Sequence, residues 1–164
     1  MKPTISFVGK HNAGKTTFLC SVVEELTGRG IRVAVIKHAS EHLNISATTD
    51  SDQLFHAGAG QVCAISPDVC LYYKRQNPEP NLNSVLEKLS EEADLIITEG
   101  YKKELYSKIE IVRAAISKES YKLDNTVAIV SDFNMGSDIV NFSFQQAREV
   151  AEFIMDYFKI QSAN

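Results

Sequence analysis

Gly9-Lys10-His11-Asn12-Ala13-Gly14-Lys15-Thr16-Thr17 is a complete G-x-x-x-x-G-K-[ST] segment, and its reading decides the fold. The glycines let the backbone curl so that successive N–H groups point at phosphate oxygens. Gly9, Asn12, Ala13 and Gly14 then line a phosphate cradle that runs on into Thr16 and Thr17. Lys15 reaches the β- and γ-phosphates of a nucleotide, and the Thr16 hydroxyl offers an oxygen to Mg²⁺. A helix starting here adds the positive end of its dipole to the anion site.

The flanks agree with this reading. Residues 4–8 (Thr-Ile-Ser-Phe-Val) are β-branched and aromatic, as in a buried strand. Residues 17–26 carry apolar side chains at helical spacing, and Gly28 and Gly30 end that helix. Further out, 31–37 is a second strand and 38–52 is polar and irregular. Residues 53–57 form a short helix ending at Gly58. Residues 61–66 and 69–74 form a hairpin around Pro67-Asp68. Residues 82–92 repeat Leu82, Val85, Leu86 and Leu89 on one helical face. Strands follow at 94–99, 108–114 and 126–130. A last helix spans 143–158, with Ser143 as N-cap and Gln146 at N3. Strands alternating with helices predict a single domain over 1–164, of the α/β P-loop NTPase class. Its sheet is mainly parallel, with helices on both faces plus a β-hairpin.

A chain of 164 residues with 44% hydrophobic content can bury a full core. The net charge of −4 leaves no basic footprint for nucleic acid. The apolar runs are strand-sized, so no membrane-spanning helix is expected. The first strand begins too early to leave room for a signal peptide, so a cytoplasmic protein is expected. Cys20, Cys63 and Cys70 are odd in number and lack C-x-x-C spacing, which predicts reduced, mostly buried thiols.

In a parallel sheet, ligands bind beyond the carboxyl ends of the strands. That rule selects Lys37, His38, Glu99, Ser131 and Asp132, and it rejects Asp94, which lies at the opposite end of its strand. Glu99 follows an apolar run and precedes Gly100, where an acidic residue acts on Mg²⁺ or its water. Lys15 and Glu99 are therefore the candidate catalytic pair, and Thr16, Glu99 and Asp50 the candidate metal ligands. Asp50 and Asp52 lie in the polar stretch after the second strand, as metal-assisting carboxylates or as solvated loop charges. Lys37 and His38 are candidates for an anionic ligand. His38 and His42 are four apart, but Asn44, Ser46 and Thr48 argue against a shared helix face. Lys102, Lys103, Lys108 and Arg113 suggest a basic cluster flanking the site. Asn-Lys-x-Asp, the common guanine reader, is absent; Asp132 is the candidate to accept the guanine N–H groups.

Several stretches together resemble the molybdopterin-guanine dinucleotide biosynthesis protein B (MobB) family. They are the phosphate loop, the segment 30–38 ending Val35-Ile36-Lys37-His38, and Asp50-Ser51 leading to Ala57-Gly58-Ala59. Asp94-Leu95-Ile96-Ile97-Thr98-Glu99-Gly100-Tyr101-Lys102 and Lys108-Ile109-Glu110-Ile111-Val112-Arg113 complete the set. The resemblance covers nearly the whole chain. It implies a GTP- and Mg²⁺-binding homodimer with weak GTPase activity at most. It also implies molybdopterin as a further ligand and a guanylyltransferase-type enzyme, which attaches GMP to molybdopterin, as partner. The phosphate-loop residues, Lys37, His38, Asp50, Glu99 and Gly100 carry over. Departures cluster around Ala47-Thr48-Thr49-Asp50-Ser51, where the family often has Gly-Lys-Asp-Ser. Phe55 and His56 stand where basic residues are common, and Asn44 where an acidic one is. These changes concern the pterin and partner docking rather than the nucleotide.

The competing reading is a P-loop kinase that moves a γ-phosphate to a small metabolite. Such an enzyme needs mobile basic lid residues. Arg75 is the one arginine near a loop that suits that role. The alternating apolar hairpin residues, Val62 to Tyr73, suggest a dimer contact at a sheet edge.

Overall fold

The computed structural model describes residues 2–39, 43–136 and 138–162. The described chain contains β1 (Thr4–Gly9), α1 (Lys15–Thr27), β2 (Val33–Lys37), α2 (Asp50–His56), β3 (Gln61–Ile65), β4 (Cys70–Lys74), α3 (Leu82–Ser90), β5 (Leu95–Glu99), β6 (Ser107–Val112), β7 (Thr126–Ser131), β8 (Val140–Phe142) and α4 (Ala147–Phe158). These elements fall into two compact units. One comprises Met1–His38 and Leu86–Asn164, the other Ala39–Val85.

The first unit is built on a six-stranded sheet in the order β2-β5-β1-β6-β7-β8. Every pairing in it is parallel. Parallel strands buried on both faces should read as apolar runs, and Leu95-Ile96-Ile97 of β5 does, with Thr98 and Glu99 buried after it. Chain order places β1 and β2 on either side of β5. Ile5, Phe7, Ile97, Ile109 and Val130 are at most marginally accessible, and each such side chain contributes ~1.5–3 kcal/mol on burial.

Helix α1 buries Phe18, Leu19, Val22 and Leu26, and α4 buries Val150, Ala151, Ile154 and Met155. The two helices pack against each other. Phe18 meets Phe144, just ahead of α4, edge to face at 5.8 Å. The α4 N-terminus differs from the expected one. Gln146 N–H donates to the Ser143 carbonyl, and the Gln146 side chain accepts from Ser143 N–H. Residues 143–146 are thereby spent on a turn, and the helix begins at Ala147 with Gln146 as N-cap. The short edge strand β8 has no counterpart in the sequence reading. Its three residues pair with β7 and have two exposed members, too few for a period-2 signal.

The second unit holds α2 and an antiparallel pair, β3 and β4, with Gln61 opposite Lys74 and Ile65 opposite Cys70. This hairpin forms a sheet of its own rather than an edge of the main sheet. Helix α2 starts three residues earlier than 53–57 because Thr49 caps it. The Thr49 hydroxyl accepts from Asp52 N–H, and the Asp52 carboxylate accepts from Thr49 N–H. Asp52 also accepts from the Tyr73 hydroxyl at 3.1 Å. Phe55 and Tyr73 pack ring to ring at 5.6 Å. Arg75 lies over Phe55 and donates to the Phe55 and Ala59 carbonyls. Ile65, Val69, Leu71 and Tyr72 are exposed on the hairpin.

All three cysteines are free, as expected, but exposed rather than buried. The thiols of Cys63 and Cys70 lie 3.4 Å apart across the hairpin, and that mutual hydrogen bond pushes the Cys63 thiol up. Cys20 projects from an exposed position on α1, because the buried stripe of that helix runs through Phe18, Leu19 and Val22 instead. No helix among the described residues is long and apolar enough to cross a membrane.

Candidate functional site

The strand order brings three carboxyl ends side by side. Lys37 of β2 pairs with Glu99 of β5, and Glu99 pairs with Phe7 of β1, two residues before the phosphate loop begins. Beyond the strands, His38 N–H donates to the Glu99 carbonyl at 3.1 Å and Gly100 N–H to the Phe7 carbonyl at 3.0 Å. Pairing therefore continues one residue past each strand end and holds the two exits in register with the loop.

Two glycines of the loop are structurally required. Gly9 has φ +156°, and a Cβ there would lie 2.4 Å from the Ile111 carbonyl oxygen. Gly14 is left-handed at φ +88° and serves as the α1 N-cap. Asn12 is also left-handed, at φ 60°, a conformation that asparagine tolerates better than most residues. No side-chain hydrogen bond caps the α1 N-terminus. Its first N–H groups thus face the concavity of the loop, which suits a phosphate.

Four of the expected residues converge at this helix end. The Lys15 ammonium donates to the Lys10 carbonyl at 2.9 Å, across the mouth of the loop. Burial pushes the Lys15 pKa down, Glu99 opposes the shift and Lys37 adds to it. The Thr16 hydroxyl donates toward both Glu99 carboxylate oxygens, at 3.0 and 2.9 Å. Lys37 Nζ lies 3.2 Å from Thr16 Oγ1 and 3.4 Å from Glu99 Oε1. A threonine hydroxyl and a carboxylate are hard oxygen donors, the set that Mg²⁺ takes alongside phosphate oxygens. The donor chemistry fits that ion.

Gly100 is left-handed at φ +102°, and a Cβ there would come within 3.3 Å of His38 Cβ. His38 in turn packs against Tyr101 at 5.0 Å between ring centroids. His42, the other half of the four-apart histidine pair, lies outside the described residues. Among the described residues no group of three or more His, Cys, Asp or Glu side chains could hold a metal ion. Asp132 follows β7 at a carboxyl end and is exposed, and one of its carboxylate oxygens accepts from Ala114 N–H at 2.8 Å. Asp50 stands in the second unit, in the first turn of α2. Asp94 accepts a two-pronged ion pair from Arg32, which holds its carboxyl at about 2.

The anticipated basic cluster is not one surface. Lys108 is 2% exposed and donates to the Glu104, Tyr106 and Asp124 carbonyls. Burial pushes its pKa down, against the pull of Asp124 and Glu104. Lys102 lies over the Tyr121 ring. Only Arg113 joins the loop: its Nε donates to the Ala13 carbonyl at 3.3 Å, and its guanidinium stacks over Phe144 at 4.2 Å. Lys10 donates to Ser117 at 2.6 Å and faces Glu119 at 3.8 Å. The segment carrying Ser117 is itself pinned by the buried Glu110 carboxylate, which accepts from Ser120 Oγ and Tyr121 N–H. None of these ties has a local sequence signal.

The profile of the family described as molybdopterin guanine dinucleotide synthesis protein B matches residues 4–132. Over 169 residues the chain is 27% identical to the molybdopterin-guanine dinucleotide biosynthesis adapter protein of Escherichia coli K12, covering 99% of this chain and 97% of that protein. Its identity to the Haemophilus influenzae protein of the same name is 28% over 159 residues, covering 94% and 89%. A crystal structure of molybdopterin-guanine biosynthesis protein B superposes with a TM-score of 0.77 at 28% identity, covering 94% of this chain and 99% of the other. The MobB homolog from Bacillus stearothermophilus shares the fold, with a TM-score of 0.74 at 23% identity and coverage of 96% and 99%.

Proposed function

This chain belongs to the molybdopterin guanine dinucleotide synthesis protein B family, and from that premise we propose that it is a GTP-loaded adapter in molybdenum cofactor biosynthesis. It assists the guanylyltransferase-type enzyme that joins GMP to molybdopterin. Two relatives that bear the adapter name over nearly the whole chain support the role. The observation that carries the nucleotide part is the convergence of Lys15, Thr16, Glu99 and Lys37 at one uncapped helix end.

In this reading the loop N–H groups, with Gly9, Asn12, Ala13, Gly14 and Thr17 shaping them, bind the phosphates. Lys15 leaves the Lys10 carbonyl to meet the β- and γ-oxygens. Thr16 and Glu99 would hold Mg²⁺. Mg²⁺, when bound, neutralises phosphate charge. His38 and Gly100 shape the floor beside the phosphates, and Asp132 reads the guanine edge. Molybdopterin is a further ligand, the protein is cytoplasmic, and the exposed apolar side chains of the hairpin support a homodimer.

Turnover by the isolated protein is slow. Fast hydrolysis needs a positioned water and extra positive charge on the transferring group, such as an arginine finger. Arg113 is engaged by the Ala13 carbonyl and Phe144, Arg29 by Glu25 and Glu152, and Arg32 by Asp94. The kinase alternative asks for a mobile basic lid. Its one candidate, Arg75, is instead tied to Phe55 and Ala59 within its own unit.

Calorimetric titration with GTP, GDP, ATP and molybdopterin tests the reading. Lys15→Ala should weaken triphosphate binding by about 1.5–3 kcal/mol while leaving the fold intact. Unchanged affinity in the folded variant overturns the site. Rapid multiple-turnover phosphate release from Mg²⁺-GTP would favour an enzyme over an adapter.

A further inference from the structure

We propose that Lys37 is a built-in counter-cation that occupies the metal-facing side of Thr16 and Glu99 and yields it when Mg²⁺ arrives with the nucleotide. The inference rests on the nucleotide reading above, and it concerns the order and metal-dependence of loading.

Hydrogen-bond accounting at Thr16 carries the argument. Thr16 has one hydroxyl hydrogen, and it points into the Glu99 carboxylate, 3.0 and 2.9 Å from the two oxygens. Toward Lys37 the same oxygen can only accept, so the ammonium donates into a Thr16 lone pair at 3.2 Å. Its charge also faces Glu99 Oε1 at 3.4 Å. A divalent cation held by Thr16 and Glu99 would draw on the remaining lone pair of that oxygen and on the same carboxylate. An ammonium and a dication so close together on shared oxygens repel strongly, so the more mobile of the two is displaced.

The structure also indicates which group moves. The Glu99 side chain is 10% exposed and sits on a strand flanked on both sides, whereas the Lys37 side chain is 58% exposed on the edge strand. The lysine stem can swing its ammonium toward solvent or phosphate without disturbing the sheet. Local charge favours the same sequence of events. Lys15 and Lys37 both face the single Glu99 carboxylate, leaving one surplus positive charge. Such a site attracts an anion and resists a bare divalent cation. The metal therefore enters with the nucleotide rather than ahead of it. In the absence of metal, Lys37 remains to offset phosphate charge in its place.

The test compares wild type, Lys37→Met and Lys37→Arg in two assays. In the first, GTP affinity is measured with Mg²⁺ and with a chelator. Chelation should weaken Lys37→Met binding about tenfold or more beyond its effect on wild type, the scale of one lost hydrogen bond to a charged group. Lys37→Arg, which keeps the cation, should track wild type. In the second assay, Mn²⁺ binding to nucleotide-free protein is followed by electron paramagnetic resonance. Wild type should bind Mn²⁺ at least about tenfold more weakly than Lys37→Met. Equal chelator effects across the three proteins, or equal Mn²⁺ affinities, overturn the proposal. A wild type that binds no GTP in either condition refutes the nucleotide reading instead, and the Mn²⁺ comparison still decides the role of Lys37.

Discussion

Replacing Arg113 by alanine removes the link between the phosphate loop and Phe144, just ahead of α4. The guanidinium donates to the Ala13 carbonyl at 3.3 Å and lies over Phe144 at 4.2 Å. It also approaches Gly14, where a Cβ would come within 3.1 Å of Nη2. The hydrogen bond is at the long end of the useful range, so about 1 kcal/mol is a fair value. A half-buried cation–π contact contributes about 1 kcal/mol more. Arg113→Ala should therefore cost about 2 kcal/mol of stability, read as a lower urea midpoint by circular dichroism. Part of that loss falls on the loop itself. If half of it appears in binding, affinity for a fluorescent GTP analogue drops about fivefold, since ~1.4 kcal/mol is tenfold. Lys at this position keeps the charge but loses the planar stack, so Arg113→Lys should recover only part of both effects. An alanine variant with wild-type urea midpoint and wild-type affinity would refute the clamp.

Three further outcomes are expected. Glu99→Gln keeps the shape but removes the charge facing Thr16 and Lys37; it should blunt the Mg²⁺-dependence of GTP binding, and a wild-type dependence by calorimetry counts against Glu99 as the metal-side carboxylate. Asp94 is held at about 2 by Arg32, so its contribution to stability is present above the ordinary carboxylate pKa near 4 and is lost as pH falls from about 4 to about 2. Asp94→Asn should flatten the fall in urea midpoint across that window, and parallel curves for both proteins would contradict the pairing. Ile65, Val69, Leu71 and Tyr72 are exposed on the hairpin; light scattering at micromolar concentration should show a dimer that Ile65→Lys converts to monomer, and a monomeric wild type would remove that interface.

The sequence by itself determined the parts whose signals are local. The phosphate loop, the strand before it and the helix after it are contiguous, so glycine conformation and helical spacing were enough to read them. The rule that ligands meet strand carboxyl ends carried the reading further, to Lys37, Glu99 and Asp132, and it rejected Asp94. Some local signals misled. Ser143 and Gln146 make only half of a capping box, the Gln146 side chain accepting from Ser143 N–H, and they close a turn ahead of the helix, whose N-cap is Gln146. Thr49 and Asp52 formed the box that was not anticipated. Only the tertiary structure decided which distant side chains meet. Thr16 and Glu99 are 83 residues apart, Ala13 and Arg113 are 100, and Lys10 and Ser117 are 107. It also decided that Lys108 is buried while Lys37 stays exposed, though both are lysines at strand ends. Backbone conformation is set by each residue and its near neighbours. The partner of a charge is set by sheet order, which brings together residues that no spacing along the chain relates.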